Sequence, residues 1–306
     1  MTPSLINDIM GFMVQPVKLR EAHKKFLDHL RGKNRASATI LAYGKDIDQL
    51  ISYLEELQKL HVHEVAKSDL EAFLARLSKT GYTPKSISRK INSTKTFYRY
   101  LKVNEYITDD PSLLITHPKY ETKPPRVLSE LEYRALRDAC RDDDRTSAIV
   151  ELLLQTGIRI GELANLRLSD VKEDNLFIRA FEGHEAREVP LNRAAKQALN
   201  RYLSIRPKKP GNKNSDNDAH VFITKTGRPL LVRNIRSSID RYFRIAGIKD
   251  AKVNDLRHTF VAHHLRAGTS LVVVSKWVGH KRLSSTERYL DFLQNREEPQ
   301  EKVKEL

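Results

Sequence analysis

Four segments in the second half of the chain carry side chains that could hold an anion and move a proton. They are Thr156-Gly157-Ile158-Arg159-Ile160-Gly161-Glu162-Leu163, Asn254-Asp255-Leu256-Arg257-His258-Thr259-Phe260, Trp277-Val278-Gly279-His280 and, nine residues after His280, Tyr289. A planar guanidinium grips an oxyanion through two parallel hydrogen bonds, a task that suits Arg159 and Arg257. Imidazole exchanges protons near neutral pH, and a phenol attacks as a nucleophile once its proton is drawn away. Each residue also has a plain structural reading. An arginine after a helix-ending glycine commonly caps or faces solvent, His280 alone suits a structural histidine, and Tyr289 alone suits a half-buried core tyrosine. Glu162 reads equally as a support for Arg159 and as an ordinary helix residue.

The elements that must position these groups are mostly helical. Up to about residue 105 the apolar residues keep helical spacing, as in Ile47, Leu50, Ile51, Leu54 and Leu57, and again in Leu70, Phe73, Leu74 and Leu77. Gly81 breaks the pattern, and Thr83-Pro84 opens a further helix, with proline early, where its missing N–H costs little. On that helix Ile87, Ile91, Tyr98 and Leu101 share a face. The same stretch carries Lys85, Arg89, Lys90, Lys95, Arg99 and Lys102 with no acid among them. Such a run reads as a solvated face or as a surface that tracks phosphates, and the missing acids favour the second. Prolines from Pro111 to Pro125 mark a linker. Ser129-Glu130-Leu131-Glu132 then starts a new domain with a capping box. Leu176–Arg179 and Arg187–Leu191 read as paired strands about a turn at Glu182-Gly183-His184, Val221–Thr224 as a third strand, and Arg206–His220 as a mobile loop.

Composition bounds the function. The 306 residues hold 54 Lys+Arg against 39 Asp+Glu, a formal charge of +15. The excess is shared, +5 in residues 1–118 and +10 in the rest, so both halves could clamp one polyanion. Nucleic acid is the first choice and an acidic membrane surface the second. A 40% hydrophobic share argues against a disordered chain, and no apolar run approaches the roughly 20 residues of a membrane helix. The N-terminus lacks the features of a signal peptide. One cysteine, Cys140, excludes an internal disulfide, and no Cys/His cluster has zinc spacing, so a reducing, cytoplasmic setting and no metal are expected. Neither a Walker lysine loop nor a paired-carboxylate metal box appears.

Taken together, the T-G-I-R-x-G-E-L, L-R-H-T-F and G-H-x₈-Y patterns resemble the tyrosine recombinases, the phage integrase and Xer-like family. The resemblance spans nearly the whole chain. It implies a mainly α fold with a small β-sheet in the C-terminal domain. Its parts would be an N-terminal extension (1–16), a helical SAM-like core-binding domain (17–107), a linker (108–125), a catalytic domain (126–294) and a C-terminal tail (295–306). It implies a site-specific recombinase that cuts and rejoins double-stranded DNA through a 3′-phosphotyrosyl intermediate and a Holliday junction. The expected assembly is a homotetramer on two DNA sites, nucleoid-associated, with accessory DNA-bending proteins and no membrane. Tyr289 would be the nucleophile, Arg159 and Arg257 would hold the non-bridging oxygens, and His280 would donate to the same phosphate. Glu162 and His258 would stand beside these groups. Lys85, Arg89, Lys95 and Arg99 would bind DNA. Because the bond energy stays in the phosphotyrosine, no cofactor is implied. The segment 291–306, with Val303 and Leu306, would dock on a neighbouring subunit or fray.

Two positions depart from the family. Where it places a lysine in the β-turn as general acid, this chain has Glu182, with Glu185 where a second lysine is common. Where it has histidine at the start of H-x-L-R-H, this chain has Asn254, which also suits a helix N-cap. A carboxylate is a poor proton donor at neutral pH and repels a phosphate. Another cation, Lys172, Arg179 or Arg187, could serve the leaving oxygen. The alternatives are a protein active only within a complex that reshapes the turn, and an impaired member that binds DNA as an accessory or regulatory protein. A topoisomerase with the same phosphotyrosine chemistry is a more distant reading.

Overall fold

The computed structural model describes residues 16–33, 35–121, 124–207 and 219–294. Residues 1–15 of the N-terminal extension, most of the 206–220 loop and the 295–306 tail lie outside them. The chain divides into two units, Met1–Thr122 and Lys123–Leu306.

Among the described residues of the first unit, four α-helices turn apolar side chains inward. α1 (Leu19–Gly32) turns Leu19, Ala22, Phe26 and Leu30 inward, and α2 (Ser37–Glu56) does so with Ile47, Leu50, Ile51 and Leu54. α3 (Lys67–Lys79) contributes Leu70, Phe73 and Leu77. α4 (Pro84–Val103) begins as its sequence dictates, with the Thr83 hydroxyl accepting from the Ser86 N–H at 3.3 Å and proline in the first turn. Its Ile87, Ile91, Tyr98 and Leu101 are buried.

The basic run on α4 divides. Lys85, Arg89 and Arg99 are exposed, with Asn92 between them, whereas Lys90 is buried. The reason is Asp46, 3% exposed on α2. Lys90 Nζ donates to its Oδ1 at 2.9 Å and to Gln49 Oε1 at 2.6 Å, while the Ser93 hydroxyl and the Arg89 guanidinium reach its Oδ2. A charge so far from water persists only when paired in this way. Lys95 is half-buried and donates to the Leu113 carbonyl.

The second unit is helical around one short hairpin. α5 (Glu130–Ala139) starts with the capping box, Glu132 N–H to Ser129 Oγ and Ser129 N–H to Glu132 Oε2. α6 (Asp144–Thr156) is buried almost throughout and forms the centre of the core. α7 (Ile160–Asn165) follows at once. β1 (Asn175–Ile178) and β2 (Arg187–Pro190) pair antiparallel, with Leu176 opposite Val189 and Ile178 opposite Arg187. Beyond the strands Phe181 and His184 exchange both backbone hydrogen bonds, leaving Glu182-Gly183 as a two-residue loop. Both loop residues have positive φ, 48° and 77°, as a type I′ turn requires.

The remaining elements are α8 (Arg193–Ile205), α9 (Val232–Ile245), α10 (Val253–Arg266), α11 (Leu271–Val278) and α12 (Ser284–Gln294). Val221–Thr224 is not a strand. Its apolar residues are buried, but its backbone bonds go to Leu166, Leu230 and Arg228 in loops, so among the described residues it makes an isolated bridge, Ile223 to Pro229, and no ladder. Among the described residues, no helix is long and apolar enough to cross a membrane.

Candidate active site

Three arginines from distant parts of the second unit converge on the C-terminus of α11. Arg257 on α10 donates from Nη2 to the Val278 carbonyl at 2.6 Å. Arg159, the residue that opens α7, donates to the Gly279 carbonyl at 2.7 Å and the Val278 carbonyl at 3.3 Å. Arg187 on β2 donates from Nε to the Trp277 carbonyl at 2.7 Å. The last carbonyls of a helix have no partner within it and carry partial negative charge, so they draw and orient cations. Gly279 ends the helix at φ +64°, and any Cβ there would stand 2.9 Å from the Arg187 guanidinium. Glycine is therefore required twice, for the backbone and for the close approach.

Glu162 holds this cluster together. Arg187 grips it in a fork, Nη1 to Oε1 at 2.8 Å and Nη2 to Oε2 at 2.7 Å, and Arg159 Nη1 adds a bond at 2.9 Å. Its Oε2 also accepts the Arg159 backbone N–H. Burial alone would raise the carboxyl's pKa, but the Arg187 and Arg159 bonds and charges outweigh it and hold it at about 2. Of the two sequence readings of Glu162, the support for Arg159 is the one realised.

Arg257 is almost fully buried. Burial, then the nearby Arg159, pushes its pKa down to about 9, so it is charged at neutral pH but poorly compensated. Its Nη1 donates to the carbonyl of Gly157 at 2.5 Å. Gly157 ends α6 at φ +61°, and a Cβ there would meet the Phe260 ring at 2.4 Å. The T-G-I-R segment thus ties Arg257 to Arg159 through one glycine.

Tyr289 on α12 is buried, and His258, one residue after Arg257, places Nδ1 2.5 Å from its Oη. Burial raises the phenol pKa, while the Arg257 and Arg288 charges oppose the rise. His258 is pushed down to about 4 by burial and by Arg257. At neutral pH His258 is therefore an uncharged imidazole, and in the tautomer that carries its hydrogen on Nε2 the Nδ1 accepts from the Tyr289 hydroxyl. His280 follows Gly279 directly, and its Nδ1 hydrogen-bonds the buried Thr286 hydroxyl at 2.7 Å. Burial and the arginines push it likewise to about 4.

The structure thus brings Arg159, Arg257, Glu162, His280, His258 and Tyr289 into one cluster. Glu182 lies exposed in the hairpin loop. Asn254 is exposed in the first turn of α10 and is not its N-cap. Lys252 holds that position, with its N–H bonded to Asp255 Oδ2 at 2.8 Å. Lys85, Arg89, Lys95 and Arg99 belong to the other unit. Sequence reasoning did not find the part played by Arg187 or Thr286. The R-x-V-P strand and the threonine three residues before Tyr289 were the available signals.

Two family models match the chain, the phage integrase family over residues 126–296 and the phage integrase N-terminal SAM-like domain over residues 24–105. Tyrosine recombinase XerC of Chlorobaculum parvum is 31% identical, covering 86% of this chain and 88% of its own. XerC of Pseudomonas aeruginosa is also 31% identical, covering 87% of this chain and 89% of its own. Among solved structures, a lambda integrase dimer bound to a COC′ core site has a TM-score of 0.74 at 16% identity, covering 99% of this chain and 85% of that one. A lambda integrase tetramer bound to a Holliday junction has a TM-score of 0.71 at 16% identity, covering 92% and 82%. The Tn1549 transposon integrase in complex with circular intermediate DNA has a TM-score of 0.71 at 20% identity, covering 89% and 95%. These three share the fold. By the family match and the XerC identities, the chain belongs to the phage integrase family, as a Xer-like tyrosine recombinase.

Proposed function

We propose that this protein is a site-specific recombinase of double-stranded DNA, with Tyr289 as its nucleophile. The observation that carries the reading is the hydrogen bond between buried Tyr289 and half-buried His258, beside Arg257, whose neighbour is Arg159. As Oη attacks phosphorus, its proton passes to His258 Nδ1. The Oη–P bond forms, the bond from phosphorus to the 5′-oxygen breaks, and the DNA 3′-phosphate is left on Tyr289. Negative charge gathers on the non-bridging oxygens in the transition state. Fixed guanidiniums there stabilise it more than the ground state. Arg159 and Arg257 each keep N–H donors beyond those given to the carbonyls and Glu162. His280, its Nδ1 held by Thr286, presents Nε2 to the same phosphate. Attack by a 5′-hydroxyl of another strand reverses the step and leads through a Holliday junction.

In this reading residues 17–107 form the core-binding domain, 108–125 the linker and 126–294 the catalytic domain. The exposed Lys85, Arg89 and Arg99, with Lys95, meet the DNA backbone. A tetramer on two sites is inferred from the lambda integrase tetramer on a Holliday junction. Action on nucleoid DNA in the cytoplasm, and the help of DNA-bending proteins, belong to the same inference.

One observation favours a second reading, DNA binding without strand exchange. Glu182 occupies the hairpin loop where the family carries its lysine. A duplex selected by this protein from a randomised pool, then nicked beside the scissile phosphate so that the released piece diffuses away, separates the two. The recombinase reading expects a covalent adduct that Tyr289→Phe abolishes; tight, selective binding with no adduct would support the second.

A further inference from the structure

The hairpin loop that lacks a lysine in its own sequence has one lying over it. A Cβ built on Gly183 would stand 3.7 Å from Lys281 Nζ, the one atom within 4 Å among the described residues beyond the glycine and its two chain neighbours. Lys281 arrives from another element, the loop after α11, directly behind His280. Among the described residues it has no ion pair, so its ammonium keeps its donors for a ligand. The cations suggested by sequence are otherwise engaged. Arg187 is locked by Glu162 and the Trp277 carbonyl, and Arg179 donates to the buried Asp170 at 2.8 and 3.0 Å. Lys172 belongs to the opposite end of the hairpin, where its N–H closes the turn onto Asn175.

We propose that Lys281 is the proton donor to the leaving 5′-oxygen, replacing from the α11 side the lysine absent at Glu182. The proposal rests on the reading of Tyr289 as nucleophile. As the Oη–P bond forms, the P–O5′ electron pair goes to O5′, which takes a proton from Lys281 Nζ. The resulting neutral amine is reprotonated from water. The ammonium also offsets the carboxylate charge of Glu182 beside the incoming phosphate. His184 is the other titratable group in the loop. Burial, Arg159 and Lys281 all lower its pKa, so it is a neutral imidazole at pH 7 and the weaker source of a proton.

The test compares two nicked, pool-selected duplexes, one with the natural 5′-oxygen and one with sulfur at that bridging position. A thiolate leaves without protonation. Lys281→Ala is expected to slow adduct formation on the oxygen duplex by about 100-fold or more. On the sulfur duplex it should stay within a few-fold of the unaltered protein, and His184→Ala should show no such preference. Three outcomes would overturn the assignment: Lys281→Ala cleaving the oxygen duplex at the normal rate, equal loss on both duplexes, or sulfur rescue appearing in His184→Ala instead. If the unaltered protein forms no adduct on either duplex, the recombinase reading itself falls, and the assignment with it.

Discussion

Glu162 and Arg187, 25 residues apart, form a buried two-bond ion pair under the site, each side chain less than a tenth exposed. Through it one carboxylate ties β2 to the first turn of α7, while the other face of the Arg187 fork seals the end of α11. Removing one partner of such a pair strands the other in a poorly solvated place, at a cost of about 3–5 kcal/mol. Glu162→Gln should therefore lower the unfolding free energy of the second unit by that order, measured by chemical unfolding. It should also slow adduct formation, because Arg159 loses its anchor. The pH dependence has a definite sign. The carboxyl ionises at about 2 in the fold against its ordinary 4.5. Its contribution is complete above about pH 4.5 and is lost as pH falls towards 2, a dependence the glutamine variant should lack.

His258 and His280 also set an acid limit. Both are neutral in the fold down to about pH 4, whereas an unfolded histidine takes a proton below its ordinary 6.5. The unfolded chain therefore binds more protons between these values, and stability should fall as pH drops from 6.5 towards 4. Thermal unfolding across that range should show the slope, and His258→Gln should reduce it. His258→Ala should also slow adduct formation by about 10²–10⁴-fold if this imidazole takes the Tyr289 proton.

Gly157 should tolerate no side chain. Its φ of +61° alone disfavours alanine by about 1–3 kcal/mol. The Phe260 ring, 2.4 Å from the Cβ, adds a clash that the ring, α10 or the Gly157 turn must move to relieve. Since the Gly157 carbonyl holds Arg257, Gly157→Ala should depress both the unfolding midpoint and the adduct rate. Normal values for both would contradict the geometry.

In the first unit, Asp46→Ala should destabilise the helices by about 3–5 kcal/mol, since it leaves Lys90 buried without its counter-charge. The exposed cations of α4 should act differently. Lys85→Ala should leave stability nearly unchanged. It should make the log–log salt dependence of DNA binding shallower by about one phosphate's worth, near 0.9.

Much of this arrangement was legible where the signal is local. Thr83-Pro84, Ser129 with Glu132 and the Glu182-Gly183 loop announce a helix start, a capping box and a hairpin from a few adjacent residues. The pairing of Arg159, Arg257, His280 and Tyr289 in one cluster was readable from their spacing taken together with the family likeness. What stayed hidden depends on distant juxtaposition. Arg187 and Trp277 lie 90 residues apart, and Lys90 and Asp46 lie 44 apart. Nothing near Lys90 in sequence separates it from its exposed neighbour Arg89. Its place beside Ile87 and Ile91 on the helix, with an acid waiting on α2, decides its burial. The same holds for Val221–Thr224, whose residues suit a strand but, among the described residues, find no second strand to pair with. Lys281 belongs to this class too, as its proximity to the hairpin loop follows from how α11 ends at Gly279.

The measurement that bears most directly on the whole account is peptide mapping of the protein–DNA adduct formed on the nicked, pool-selected duplex. The expected result is a 3′-phosphate joined to the peptide containing Tyr289, with a free 5′-hydroxyl on the released strand and no adduct from Tyr289→Phe. Linkage to another residue, or selective binding with no adduct while a Glu182→Lys variant forms one, would contradict it.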